Sequence, residues 1–214
     1  VKLAVCLLTS DRPKYTNRTL TTFVEKNETD GMILLHADDG SKDPLNRLMA
    51  SAVGFETVYA SSERRGVMPA LRFMWSEAAA LGATHILHLE NDCVSVAPLP
   101  HDALISNCDC VRLYGEFKDT HGKYPTGRHH METKTPINWR CCDAPGWEYA
   151  FCHWGAQPSI TRAPLLVDAI NKAKSLKDVS RALSHIHTRR PTLYRGNITS
   201  HIGDVKTENP VFKC

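Results

Sequence analysis

Apolar residues run unbroken from Leu3 to Leu8 and stop at Thr9-Ser10-Asp11-Arg12-Pro13. That is the pattern of a strand buried on both faces whose carboxyl end opens into a loop. Tyr15 to Lys26 reads as a helix. A second apolar run, Met32 to Leu35, ends at His36-Ala37-Asp38-Asp39-Gly40-Ser41. Leu45 to Val53 is predicted helical, Glu56 to Ala60 a short strand, and Pro69 to Leu81 a longer helix closed by Gly82. His85 to Leu89 is the next strand, ending at Glu90-Asn91-Asp92. Strands that alternate with helices predict an α/β fold of Rossmann-like type, with a mostly parallel central sheet flanked by helices and ligands bound beyond the carboxyl ends of the strands.

The rhythm changes after Cys93. Cys110 to Leu113 is strand-like, and residues 118–140 are rich in Gly, Pro, His and Thr without periodicity, which marks a long loop of a functional or a mobile kind. Helices are predicted from Pro164 to Lys174 and near Val179 to His187, and a strand around Thr192 to Gly196. A length of 214 residues with 42% hydrophobic content supports one domain, 1–214. Its halves are residues 1–93, with the polar clusters at strand ends, and residues 94–214.

Composition narrows the classes. No stretch is long and apolar enough for a membrane helix, so a soluble, cytoplasmic protein is expected, in the host cytoplasm if the source is viral. The net charge of +3 is too small to announce a nucleic-acid binder, but it is uneven: from Arg162 onward the chain carries ten basic residues against four acidic ones. Such a basic end attracts phosphates, or it is simply a solvated face. The eight cysteines contain no Cys-x-x-Cys, which removes a zinc ribbon. Cys6 and Cys93 belong to strand-like runs and suit buried thiols, while Cys108, Cys110, Cys141 and Cys142 leave the redox compartment open.

Two clusters carry the chemistry. Asp38-Asp39-Gly40-Ser41 places carboxylates at a strand end, where they accept hydrogen bonds from a base or ribose; the same tetrapeptide is also ordinary turn chemistry. Glu90-Asn91-Asp92 places two acids about one residue at the end of a central strand, an arrangement that holds a hard divalent cation bridging a diphosphate. Asp92 is the preferred direct ligand, with Glu90 on ribose or a metal-bound water.

Taken in order, the N-terminal strand and polar loop, the segment Asp38 to Asp43, the basic pair Arg64-Arg65 before Gly66, and the triplet Glu90 to Asp92 resemble the family-2 glycosyltransferases and their relatives with the GT-A fold. The resemblance is good over residues 1–93 and loose beyond, and Glu90 replaces the first aspartate of the family's Asp-x-Asp motif. It implies a metal-dependent transferase that moves a sugar from a UDP- or GDP-sugar donor to an acceptor hydroxyl, with inversion. Thr9, Asp11, Arg12, Asp38, Asp39, Arg64, Arg65, Glu90 and Asn91 would line the donor site. Asp92 and His201, the latter in a His-x-Gly segment, would hold Mn²⁺ or Mg²⁺. Trp147, Trp154 and Gly155 would face the acceptor, a glycan or a polyanion such as hydroxymethylated, phage-type DNA. The general base would be Asp178, in a segment similar to the family's helix-opening Glu-Asp, with Glu148 or Asp143 as substitutes; Asp178 is equally a residue that stabilises a helix N-terminus. A nucleotidyltransferase is the enzyme rival, although Thr9 to Pro13 lacks its Gly-rich phosphate loop. A non-catalytic nucleotide-sugar or nucleic-acid binding module is the other alternative.

Overall fold

Strand β1 (Leu3–Thr9) is buried at every position, which only a central strand covered on both faces permits. The computed structural model of the protein describes residues 1–100, 102–106, 108–113, 140–141, 147–152, 158–184, 186–191 and 198–201, with backbone alone at 103–104, 140–141, 147–152, 187–191 and 200–201. After β1 come α1 (Pro13–Lys26), β2 (Ile33–Asp38), α2 (Leu45–Ala52), β3 (Glu56–Ala60), α3 (Val67–Ala80), β4 (His85–Glu90), β5 (Cys93–Ser95), α4 (Asp102–Ser106) and β6 (Cys110–Arg112). The remaining elements are β7 (Arg140–Cys141), β8 (Trp147–Cys152), β9 (Ser159–Arg162), α5 (Ala163–Lys172), α6 (Leu176–Ala182), β10 (Ile186–Pro191) and β11 (Thr199–His201).

Nine strands form one sheet in the order β3-β2-β1-β4-β9-β6-β10-β8-β7, and β5 pairs with β11 in a separate ribbon. Strands β3, β2, β1 and β4 are mutually parallel, β6 and β10 continue in the same direction, and β9 and β8 run against their neighbours. The expected α/β architecture with a mostly parallel sheet is therefore present.

Alternation along the strands sorts the core into two layers. Ala4, Cys6 and Leu8 of β1 pack with Leu71, Met74 and Trp75 of α3 and with Leu166 and Ile170 of α5. Leu3, Val5 and Leu7 pack with Leu20 and Phe23 of α1 and with Leu87 and Leu89 of β4. In α3 the buried set Ala70, Leu71, Met74, Trp75 and Ala78 keeps helical spacing. Trp75 is fully buried, and truncating such an aromatic to alanine costs roughly 3–5 kcal/mol.

Several expectations shift. β2 runs on through His36 and Ala37 to Asp38, because the polar side chains of His36 and Asp38 are satisfied inside the fold and do not end the strand. α6 ends at Ala182, and residues 186–191 are strand, not the end of a helix reaching His187: Ser175 caps α6 by accepting from the Asp178 N–H, which sets an early start, and the chain turns at Leu183 and Ser184 before pairing with β6 and β8. The expected long loop at 118–140 lies outside the described residues except for Arg140, and the expected strand at 192–196 lies outside them altogether. Cys6, Cys93, Cys108 and Cys110 are all buried thiols. Among the described residues no helix is long and apolar enough to cross a membrane.

Candidate functional site

The register of the parallel strands brings the polar clusters to one edge. Thr9 pairs with Asp38 and Leu8 with Glu90, so β1, β2 and β4 end side by side. β1 is buried throughout, β2 from Leu35 to Asp38 and β4 from His85 to Leu89, so the sheet interior reaches this edge.

Three loops interlock there. The Asp39 N–H donates to the Thr9 carbonyl at 2.9 Å, and the Ser10 hydroxyl to the Asp39 carbonyl at 3.1 Å. The Asp11 N–H donates to Ser41 Oγ at 2.9 Å, and the Lys42 N–H to Asp11 Oδ1 at 2.9 Å, while Arg64 stands 3.7 Å from Asp11 Oδ2. Asp11 adopts a left-handed φ of 41°, a conformation that aspartate tolerates better than most residues. The Arg65 N–H donates to Asp39 Oδ1 at 2.8 Å. Gly40, at φ +71°, lies against the backbone of Glu63 and Arg64, where a Cβ would come within 2.3–2.6 Å of three main-chain atoms. The site needs a glycine there for room as well as for φ.

Beneath the loops runs a buried polar chain. Thr9 Oγ1 donates to Asp38 Oδ1 at 3.2 Å and lies 2.8 Å from His36 Nε2, and His36 Nδ1 lies 2.9 Å from the Thr57 hydroxyl. Because the single Thr9 hydroxyl proton goes to Asp38, His36 Nε2–H donates to Thr9, and in the neutral imidazole Nδ1 accepts from Thr57. Burial, and secondarily the positive charge of Arg47, hold the His36 pKa down at about 4. Asp38 Oδ1 also accepts from Ser41 Oγ. Its fully buried Oδ2 has no hydrogen-bond partner among the described residues and is compensated by Arg47 Nε at 3.8 Å.

The end of β4 forms an acidic corner. Ligand atoms of Glu90, Asp92 and Cys93 all lie within 4.8 Å of one another. Burial, then the charges of Glu90 and Asp92, push the Cys93 thiol up, so it stays protonated. Arg12 donates to Asp92 Oδ2 at 2.8 Å. His88, two residues back on the same face of β4, places Nε2 3.9 Å from Glu90 Oε1. Asn91 pins the corner to α1: its amide donates to Thr16 Oγ1 at 3.4 Å and its carbonyl accepts from Thr19 Oγ1 at 2.8 Å. In the β5–β11 ribbon, His201 pairs in register with Cys93.

The remaining expected residues lie elsewhere. Asp178 is in the first turn of α6, where its carboxylate accepts from Ser175 Oγ at 2.9 Å and the Lys174 N–H at 3.2 Å and pairs with Arg181 at 3.2 Å. The Ser175 hydrogen bond, then the Lys174 N–H, hold its pKa below the usual value. Trp147 and Glu148 open β8, opposite Pro191 and Arg190 at the carboxyl end of β10. Trp154, Gly155 and Asp143 lie outside the described residues. The sequence reading missed His36, Thr57 and Arg47; the one signal for them was a polar histidine interrupting the apolar run just before Asp38.

No family model matches the chain, and no curated protein matches it by sequence. Solved structures do. TarS 1-349 of S. aureus in complex with UDP superposes with a TM-score of 0.61 at 14% identity, covering 93% of this chain and 60% of that one. The same protein in complex with UDP-GlcNAc gives 0.55 at 13% identity, over 93% and 58%. A mycobacterial protein gives 0.52 at 15% identity, over 94% and 67%. The chain thus spans about three fifths of the length of TarS 1-349. Five of the six strands β3-β2-β1-β4-β9-β6 run in one direction with β9 opposed, and with the likeness to these structures this defines the architecture: the chain has the GT-A fold.

Proposed function

We propose that the protein is a glycosyltransferase that takes a sugar from a UDP- or GDP-sugar with the help of a divalent cation. One observation carries the reading: on a GT-A fold, the Asp38-Asp39 turn and the Glu90–Asp92 corner end β2 and β4, the two strands that flank β1, at the same edge of the sheet. Asp39 spends Oδ1 on the Arg65 N–H, which fixes its carboxylate at the edge, where it would accept a hydrogen bond from the base or ribose. Thr9 and Asp38 are the buried support of that carboxylate. Asp11, Arg12, Arg64 and Arg65 line the loops around it, and Arg64 and Arg65 would meet the base or phosphates.

The acidic corner suits a hard ion. Its oxygen donors are the carboxylates of Asp92 and Glu90, through which Mn²⁺ or Mg²⁺ would be held, with His201 as a further ligand on the strength of its register. When bound, the ion neutralises charge on a departing diphosphate. For the general base we favour Glu148 over Asp178, whose carboxylate already caps α6 and pairs with Arg181. Glu148 belongs to the strand end that shares the carboxyl edge of the sheet. Trp147 beside it, with Trp154 and Gly155, would face the acceptor. A polyanionic acceptor such as hydroxymethylated DNA would draw on the basic stretch from Arg162; binding that weakens steeply with salt separates it from a neutral glycan.

The test is calorimetric titration of UDP and GDP with and without Mn²⁺. Binding of one nucleotide that strengthens with Mn²⁺ is expected, lost in Asp39→Ala, and made metal-independent in Asp92→Ala. Turnover of a UDP- or GDP-sugar should fall with Asp92→Ala as well. If neither nucleotide binds to the folded protein, the reading is wrong.

A further inference from the structure

Arg12 occupies an unusual place. Its backbone precedes Pro13 at the start of α1, and its carbonyl accepts from both the Thr16 N–H at 2.9 Å and the Thr16 hydroxyl at 3.1 Å. Its guanidinium stacks over the Tyr15 ring at 5.9 Å and reaches 2.8 Å from Asp92 Oδ2. Both members of this pair are nearly out of water, with 12% and 8% of their side chains exposed. An ion pair sequestered to this degree is held by its partner more than by solvent.

The oxygen that Arg12 holds belongs to the acidic corner. A divalent ion bound through Asp92 would bring two positive charges within a few ångströms of the guanidinium, where low dielectric amplifies the repulsion. We infer that Arg12 is the resident counter-cation of Asp92: it neutralises the corner when no ligand is bound, and a divalent ion must displace it from Oδ2. The inference rests on the function proposed above. It makes ion affinity conditional, because a diphosphate that draws the guanidinium away from Asp92 removes the competitor. Metal and nucleotide diphosphate then strengthen one another by the same factor, whichever binds first.

The counter-cation role predicts a gain from removing a charged residue. Mn²⁺ binding to the ligand-free protein is measured by loss of the free-ion electron paramagnetic resonance signal, in the wild type and in Arg12→Gln, Arg12→Lys and Asp92→Asn. Arg12→Gln keeps hydrogen-bonding capacity without the charge and should bind Mn²⁺ roughly fivefold or more tightly than the wild type. Arg12→Lys, still charged, should stay near the wild type, and Asp92→Asn should lose the site. Adding UDP or GDP should tighten Mn²⁺ binding in the wild type, and by a smaller factor in Arg12→Gln. Thermal melts establish that each variant is folded; if Arg12→Gln is not, Arg12→Met takes its place. Unchanged or weaker Mn²⁺ binding in a folded, uncharged Arg12 variant overturns the inference, as does a wild type that binds no Mn²⁺ under any condition. A tighter Arg12→Gln in a protein that binds no nucleotide would leave the counter-cation role standing and remove only the glycosyltransferase reading.

Discussion

Gly40 sits so close to Glu63 that a Cβ on the glycine would stand 2.3 Å from the Glu63 carbonyl carbon. The contact locks the turn after β2 to the loop after β3, the same loop whose Arg65 N–H holds Asp39. Gly40→Ala must both adopt a left-handed φ and push the two main chains apart. A loss of roughly 2–4 kcal/mol is expected in urea unfolding. Gly31→Ala is the control: its φ is +80° but nothing lies within 4 Å of the added methyl, so only the conformational cost of about 1 kcal/mol should register. Equal losses in the two variants would show that the packing against Glu63 contributes nothing.

His36 gives the fold a specific acid sensitivity. Its pKa is about 4 in the native protein and near 6.5 when unfolded, so the unfolded chain takes up the proton first as pH falls. The stabilisation from a neutral His36 is complete above the unfolded value and is lost as pH drops from about 6.5 toward 4, to the extent of about 3 kcal/mol. His85 is shifted in the same direction, chiefly by burial, so the wild-type curve contains both. His36→Gln removes one titration. The difference in stability between wild type and variant, measured by urea unfolding at pH 7.5 and pH 4.5, should shrink at the lower pH. A difference independent of pH would mean that His36 titrates alike in the folded and the unfolded chain.

Asp178 and Glu148 are separable by experiment. Ser175→Ala removes a helix cap and should cost roughly 1 kcal/mol, and Asp178→Asn should weaken the same first turn of α6; donor-sugar turnover per folded molecule should survive both. Glu148→Gln should leave melting unchanged and reduce turnover by orders of magnitude. The reverse pattern, with turnover lost only in Asp178→Asn, would move the base to α6.

β1 and the opening of β2 were legible because each is a continuous apolar run followed by a polar cluster. β3 was read to the residue. The edges blurred where polar side chains are satisfied internally: His36 and Asp38 remain in β2 because Thr9, Thr57 and Arg47 answer them, and nothing local announces partners that distant. β5, β9 and β11 are three or four residues long, too short for periodicity to register, and they form because neighbouring strands offer free backbone groups. The acidic corner was visible as residue types, but its pairing with Arg12 depends on how the loop before Pro13 folds back across 80 residues of chain.

The ribbon of β5 and β11 has a temporal meaning. Glu90 and Asp92 leave the ribosome with the first half of the chain, together with α1 to α3 and the four parallel strands that can already bury one another. Strand β11, which pairs with the three residues just after them, is made much later. The acidic corner therefore gains its neighbouring parallel strands early in synthesis and the partner of its following strand, β11, only late.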